Sequence, residues 1–219
     1  MNTLKTPPVS TLFERLFAEA RESDQVLRSQ TEHIPAAEQA ALLRDPEHAT
    51  NFYLRAKSFY LAVSPETATL LYMLTRSLNA RSVIEFGTSM GVSTLHIAAA
   101  LRDNGGGRLI TTEFEPTKSE KARGHFAAAG LADLIELREG DATQTLAADL
   151  PESVDLLLLD GAKSLYPQIL EIVEPRLRSG ALIVADNADW SPEYLEIVRN
   201  GGRYLSVAFA EDVELSMKL

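Results

Sequence analysis

The stretch "VDLLLLDGAKSLY", residues 154–166, runs four leucines into Asp160 and sets Lys163 three residues further on. Residues 181–187, "ALIVADN", repeat the pattern, an apolar run that stops at Asp186 and Asn187. An apolar run without alternation is how a strand reads when both faces of its sheet are covered, as in parallel sheets. Two such strands ending in acid would put carboxylates side by side at one edge of the sheet.

The same grammar holds on either side. "SVIEF" (82–86), "RLITTE" (108–113), "LIELRE" (134–139), residues 154–160 and residues 181–186 read as strands. Segments 92–102, 116–129, 143–149 and 165–177 read as the helices between them. Right-handed βαβ crossovers then predict a Rossmann-like α/β fold, a mostly parallel sheet with helices on both faces. The tail "RYLSVAFAEDVELSMKL" (203–219) has two extended stretches around "AED" and no helix between them, which predicts an antiparallel hairpin at the sheet edge. Upstream, Leu12, Phe13, Leu16 and Phe17 recur at helical spacing, and a helix over 65–78 opens with Ser64 as N-cap before Pro65. No linker rich in Gly, Ser or Pro interrupts the chain. Residues 1–55 are therefore expected to form a helical annex, a lid or a dimer contact, on a domain spanning 56–219.

Composition bounds the function. With 219 residues, 45% hydrophobic and 24% charged, the chain suits one sizeable globular domain. Its 31 acidic and 21 basic residues give a net charge of −10, which argues against nucleic acid or an anionic membrane as partner. The absence of cysteine excludes thiolate metal sites and cysteine nucleophiles, and the four histidines show no ligand spacing. No apolar segment has signal-peptide or membrane-spanning length, so a cytoplasmic location and a small-molecule substrate are expected.

Ligands of open α/β sheets bind at the carboxyl ends of the strands. Glu85, Glu113, Asp141, Asp160 and Asp186 all fall at or just beyond such ends. Taken singly, each is as well explained as a loop carboxylate capping the next helix; five on one rim favour a ligand site. After the first strand, "EFGTSMGVSTL" (85–95) is a G-x-x-x-G turn with Gly87 and Gly91, not the dinucleotide pattern G-x-G-x-x-G. Glycines let the backbone approach a ligand, and Ser93 and Thr94 offer hydroxyls at the helix start. Glu85 repels pyrophosphate and suits a cation, while Glu113 is placed to accept from ribose hydroxyls. Together they fit S-adenosylmethionine, with Asp141 and Ala142 beside its adenine.

The motifs "VIEFGTSMGVSTL", "LITTEFEP", "GDA", "LLLDGAKSLY" and "LIVADN" resemble those of the cation-dependent O-methyltransferases, the group of catechol and caffeoyl-CoA O-methyltransferases, over residues 60–219. The resemblance implies cofactor contacts at Val63, Glu85, Gly87, Thr88, Ser93, Glu113 and Ala142, with Asp141 and Asp160 in the same pocket. It also implies a divalent metal, Mg²⁺ first, on Asp160, Asp186 and Asn187, with Lys163 as catalytic base and Tyr166 matching a motif tyrosine. A homodimer belongs to the same family expectation. Where many bacterial and plant members read D-A-D-K, this chain reads Asp160-Gly161-Ala162-Lys163, one carboxylate fewer. The segment between "ADN" and the hairpin is also short.

Two carboxylates and an amide oxygen are hard ligands suited to Mg²⁺. A phenolic or catechol-like acceptor would chelate such a metal through vicinal oxygens, and Lys163, partly buried beside a dication, is expected to fall towards neutrality. Other readings stay open: a methyltransferase of this fold with a non-catechol acceptor and no metal requirement, a non-catalytic cofactor-binding module, or, against the missing G-x-G-x-x-G, an NAD-dependent oxidoreductase. Trp190 and Tyr194 either wall the acceptor pocket or pack the following helix.

Overall fold

The computed structural model describes residues 2–210 and 212–219. Seven strands form one mixed sheet: β1 (Ser82–Phe86), β2 (Arg108–Glu113), β3 (Ile135–Glu139), β4 (Val154–Leu159), β5 (Leu177–Ala185), β6 (Tyr204–Phe209) and β7 (Val213–Lys218). Their order is β3-β2-β1-β4-β5-β7-β6. The first five run parallel, and β7 and β6 are antiparallel additions at one edge. The expected fold and hairpin are both present; of the turn "AED", Glu211 lies outside the described residues.

Nine helices accompany the sheet among the described residues. They are α1 (Val9–Thr31), α2 (Ala36–Arg44), α3 (Pro46–Arg55), α4 (Pro65–Ser77), α5 (Val92–Asp103), α6 (Pro116–Ala129), α7 (Ala142–Thr145), α8 (Tyr166–Val173) and α9 (Pro192–Asn200). Ser64 caps α4 as expected, its Oγ accepting from Thr67 N–H at 3.0 Å. The helix expected over 165–177 stops at Val173 and continues as a 3₁₀ turn, because Pro175 cannot donate into an α-helical ladder. The helix expected over 143–149 is a single turn, and β5 begins four residues earlier than its apolar run, with an irregular register opposite Val154 and Leu156.

The four leucines show why the run is continuous. Leu156 and Leu158 face a layer built from α1, α4, α5 and α6, while Leu157 and Leu159 face a layer built from α7, α8 and α9. All four are fully buried. Each contributes on the order of 1.5–3 kcal/mol by leaving water. Among the described residues no helix is long and apolar enough to cross a membrane.

The N-terminal helix is stapled to the sheet layer by His96. The imidazole stacks on Phe13 of α1 with ring centroids 3.9 Å apart, and its Nδ1 lies 2.8 Å from the Val92 carbonyl oxygen, one turn back in α5. That contact assigns the proton of the neutral ring to Nδ1. Burial holds the imidazole down at about 4, against its usual 6.5. Between these values the unfolded chain takes up a proton that the folded chain refuses, so His96 contributes its stability above pH 6.5 and loses it as the pH falls to 4. The gap is worth about 3 kcal/mol. In His96→Phe, which keeps a ring against Phe13, urea titrations at pH 7 and pH 4 should show the stability difference from wild type moving by about 3 kcal/mol in the variant's favour. Parallel pH profiles for the two proteins would exclude His96 as the acid-sensitive group.

Candidate active site

The strand order reverses between β1 and β4, and at such a switch point the loops leave a crevice at the carboxyl ends of the strands. Here the two loops meet at backbone distance. Asp160 N–H donates to the Phe86 carbonyl at 2.8 Å. Gly87, at φ +102°, comes so close that a Cβ there would stand 2.6 Å from the Asp160 carbonyl oxygen. Only glycine combines that φ with that contact.

A cavity of about 1410 Å³ opens over this crevice. Val63, Gly87, Glu113, Asp141, Ala142 and Asp160 line it on the side expected to hold the cofactor. Lys163, Asp186, Asn187 and Trp190 line it beside Asp160. Thr88 and Ser93 border only a narrow crevice beneath the glycine loop. Glu85 lines neither. It is fully buried, and its two carboxylate oxygens accept from the hydroxyls of Ser93 at 2.5 Å, Thr94 at 2.6 Å and Thr111 at 2.6 Å. Burial raises Glu85 to about 7, against the pull of those hydroxyls. The acidic rim read from the sequence is thus four open carboxylates and one enclosed one, because Glu85 is the penultimate residue of β1 and faces the α5 layer. The Ser93 and Thr94 hydroxyls, expected to face a ligand, are spent on it.

Glu113 ends β2 and folds over the glycine loop, accepting from the backbone N–H of Ser89 at 2.8 Å and of Phe114 and Glu115 at 2.9 Å. Burial raises its carboxyl, and the nearby Lys118 ammonium is among the groups that oppose this. Asp141 caps α7 through Thr143 N–H at 2.8 Å. Thr88 turns inward, its hydroxyl bonded to Thr111 Oγ1 at 2.5 Å and to the Thr112 carbonyl at 3.0 Å.

At the other end Lys163, 7% exposed, holds Asp160 Oδ1 at 3.0 Å. The Asp160 and Asp186 carboxyls face each other at the ends of β4 and β5, and burial together with the facing Asp160 raises Asp186 to about 7. Asn187 sits at φ +48°, its amide nitrogen donating to Asp212 at 3.0 Å. Burial pulls the Lys163 ammonium down, but the acidic groups around it, Tyr166, Asp160, Tyr53 and Asp186, leave it well above the usual lysine range. The fall towards neutrality expected from the sequence does not hold for the chain by itself, since several acidic neighbours outweigh desolvation. Among the described residues no group of three or more His, Cys, Asp or Glu side chains is disposed to hold a metal. The expected ligand set reaches three only through the Asn187 amide.

Tyr166 explains how the two strand ends stay in register. Its ring is fully buried between Phe86 and Tyr194, and its hydroxyl lies 2.8 Å from both the Leu159 and Asp186 carbonyl oxygens. One phenolic proton therefore serves both strand ends, β4 just before Asp160 and β5 at Asp186. Tyr194 belongs to this core, whereas Trp190 faces the cavity. Gly161 is matched by a bulky neighbour: a Cβ there would lie 2.5 Å from the Phe86 ring. Sequence reading missed two other residues of the cavity wall, Tyr53 of α3 and the buried Lys118 of α6, whose Nζ donates to Ser89 Oγ at 3.0 Å. No spacing rule links either to the motifs.

A family model described as O-methyltransferase matches residues 35–215. The chain belongs to that family. It is 33% identical over 192 residues to catechol O-methyltransferase B of Danio rerio, covering 83% of this chain and 72% of that one. It is 34% identical over 142 residues to catechol O-methyltransferase of Niastella koreensis, covering 64% of this chain and 63% of that one, so it spans a little under two thirds of the second relative. In three dimensions it is similar to the O-methyltransferase of Bacillus cereus solved with SAH, with a TM-score of 0.68 at 23% identity, over 89% of this chain and 97% of that one. That likeness shows the shared fold. The enzyme is an O-methyltransferase.

Substitutions at three positions probe the framework under the site. Gly161→Ala should lower stability by about 1–3 kcal/mol, the usual cost of overpacking, and Phe86→Leu in the same chain should recover part of it. Thermal unfolding of the two single variants and the double variant checks this; strictly additive losses would rule out the Phe86–Gly161 match. Tyr166→Phe should cost about 1–3 kcal/mol by leaving a buried carbonyl short of a donor, measured by denaturant titration.

Proposed function

We propose that the enzyme moves the methyl group of S-adenosylmethionine to a hydroxyl of a catechol-like small molecule, with a divalent cation, Mg²⁺ first, held by Asp160, Asp186 and Asn187, and with Lys163 as base. The observation that carries this reading is the facing pair Asp160–Asp186 beside buried Lys163, on adjacent strand ends at the switch point. Two buried carboxylates that repel each other, one of them raised to about 7, form a site that a hard cation satisfies better than a proton does. Asn187 spends its N–H on Asp212, which leaves its amide oxygen as the donor for a cation. The residues fit the group. Bound there, the cation would offset the charge of Asp160 and Asp186, free Lys163 to lose its proton and lower the pKa of a chelated hydroxyl.

The chain's own residues do the rest. Lys163 Nζ takes the proton of the acceptor hydroxyl. The oxygen then bonds to the methyl carbon while the carbon–sulfur bond breaks and leaves its electron pair on sulfur. Glu113 takes the ribose hydroxyls, and Val63, Gly87 and Ala142 border the remainder of the cofactor, with Asp141 at the adenine end. Residues 1–55 act as a lid over the acceptor, which the position of α2 against the turns Lys163–Leu165 and Ala188–Trp190 supports.

Labelled S-adenosylmethionine with catechol, with and without Mg²⁺, tests the reading. Methyl transfer should require the metal and stop with EDTA. Lys163→Met should lower kcat by about 10²–10⁴ while calorimetry shows unchanged cofactor affinity. A metal-free reading also has an observation in its favour, since the Lys163 ammonium already neutralises Asp160 at 3.0 Å. Turnover of catechol that persists in EDTA would establish that second reading and remove the first.

A further inference from the structure

The cavity is larger than a cofactor and a single ring require. At about 1410 Å³ it exceeds the roughly 300–1,000 Å³ usual for small-molecule sites. The carboxylates and Lys163 described above lie at the strand ends, whereas the opposite wall includes an aliphatic and aromatic group made of Leu27 of α1, Ile34 just before α2, Leu42 and Leu43 of α2, and Phe52 of α3. Polar side chains share this wall, Asp24, Arg28 and His48 among them, and one of them, Gln39, is turned to the backbone, its Nε2 donating to the carbonyls of Thr31 at 3.1 Å and Ile34 at 2.8 Å and closing the bend between α1 and α2. Leu42 remains 42% exposed, and Leu27 and Leu43 are only half-buried. Amphipathic helices ordinarily bury such a stripe against a neighbour. Here α2 packs against the turns that carry Lys163 and Trp190, so its aliphatic residues bound the same cavity as the acceptor end. The surface is concave and continuous with the reacting groups, which fits part of the substrate better than a second protein.

We infer that the acceptor is a catechol-type ring bearing an extended apolar substituent, which lies in the chamber between α1, α2 and α3. The inference rests on the proposed function, because the ring must be anchored at Asp160, Asp186 and Lys163 for the substituent to reach the aliphatic wall. A group on the ring carbon para to one hydroxyl points away from two chelated oxygens, and hence out of the polar end. The selectivity that results is hydrophobic: about fourfold per methylene if fully buried, and less if part of the chain stays in water.

The experiment compares catechol, 4-butylcatechol and 4-hexylcatechol as acceptors at saturating S-adenosylmethionine and Mg²⁺. The expected result is a kcat/KM that rises with chain length, at least tenfold from catechol to 4-hexylcatechol. Leu27→Gln and Leu42→Gln, polar but helix-compatible changes at half-buried and exposed positions, should pull that ratio towards one. Cofactor affinity measured by calorimetry reports that each variant is folded, and either variant alone suffices for the comparison. A wild-type ratio near one, with catechol methylated, would overturn the inference and leave the proposed function standing. A ratio that is high but unchanged in both folded variants would overturn the placement of the substituent. Failure to methylate any of the three, with S-adenosylmethionine still bound, would overturn the proposed function and the inference together.

Discussion

The site depends on one backbone contact at the point where the sheet reverses its winding. Asp160 N–H bonds to the Phe86 carbonyl, and Gly87 packs against the Asp160 peptide at a distance no Cβ would permit. This draws the loop after β1 and the loop after β4 together, so that the glycine turn borders Asp160, the residue held by Lys163. The same approach fixes the direction in which Asp160 leaves its strand. Tyr166 then ties that strand end to the end of β5, where Asp186 follows. The reacting end is therefore positioned by backbone and by a buried phenol, not by the acids themselves.

Buried charge is concentrated where chemistry needs it, and the framework bears its cost. Glu85 is enclosed by three hydroxyls from α5 and β2, a strap that joins two strands and a helix directly under the glycine loop. A carboxylate removed from water is costly unless it is bonded, and here both oxygens are bonded. Asp160, Asp186 and Lys163 form a second buried group, more nearly balanced in charge but still carrying two acids against one base. Such groups shift one another's protonation strongly, which is a property of active sites as well as of structural ion pairs.

The N-terminal helices are wired to the glycine loop by hydrogen bonds as well as by packing. Ser23 of α1 accepts from Tyr60 N–H at 2.9 Å, Glu19 accepts from the Tyr60 hydroxyl, and the Tyr60 carbonyl accepts from the Ser89 hydroxyl inside the glycine loop. Lys118 donates to the same Ser89 oxygen. A shift of α1 would thus be felt at Ser89 and, through its backbone N–H, at Glu113. This relay gives the N-terminal helices a physical route to the Glu113 side of the cavity, while α2 bounds the side that carries Lys163.

Sequence alone determined the strand and helix order, the parallel sheet with its closing hairpin, and the placement of Glu113, Asp141, Asp160, Asp186 and Lys163 at the carboxyl ends. Those features are local: apolar runs, caps and strand endings are written in consecutive residues. Which carboxylates stay open was decided only in three dimensions, because Glu85 differs from the others by the face of β1 it occupies and by hydroxyls 8 to 26 positions away. Gly161 read only as part of a departure from the D-A-D-K motif, and the reason for a glycine there is the Phe86 ring, seventy-five residues earlier in the chain, which stands where its Cβ would be. Tyr53 and Lys118 were invisible because nothing in their neighbourhoods marks them, and long-range packing alone brings α3 and α6 to the cavity. The protonation of Lys163 likewise follows from Asp160 and Asp186, which stand beside it only once the fold has brought two strand ends together.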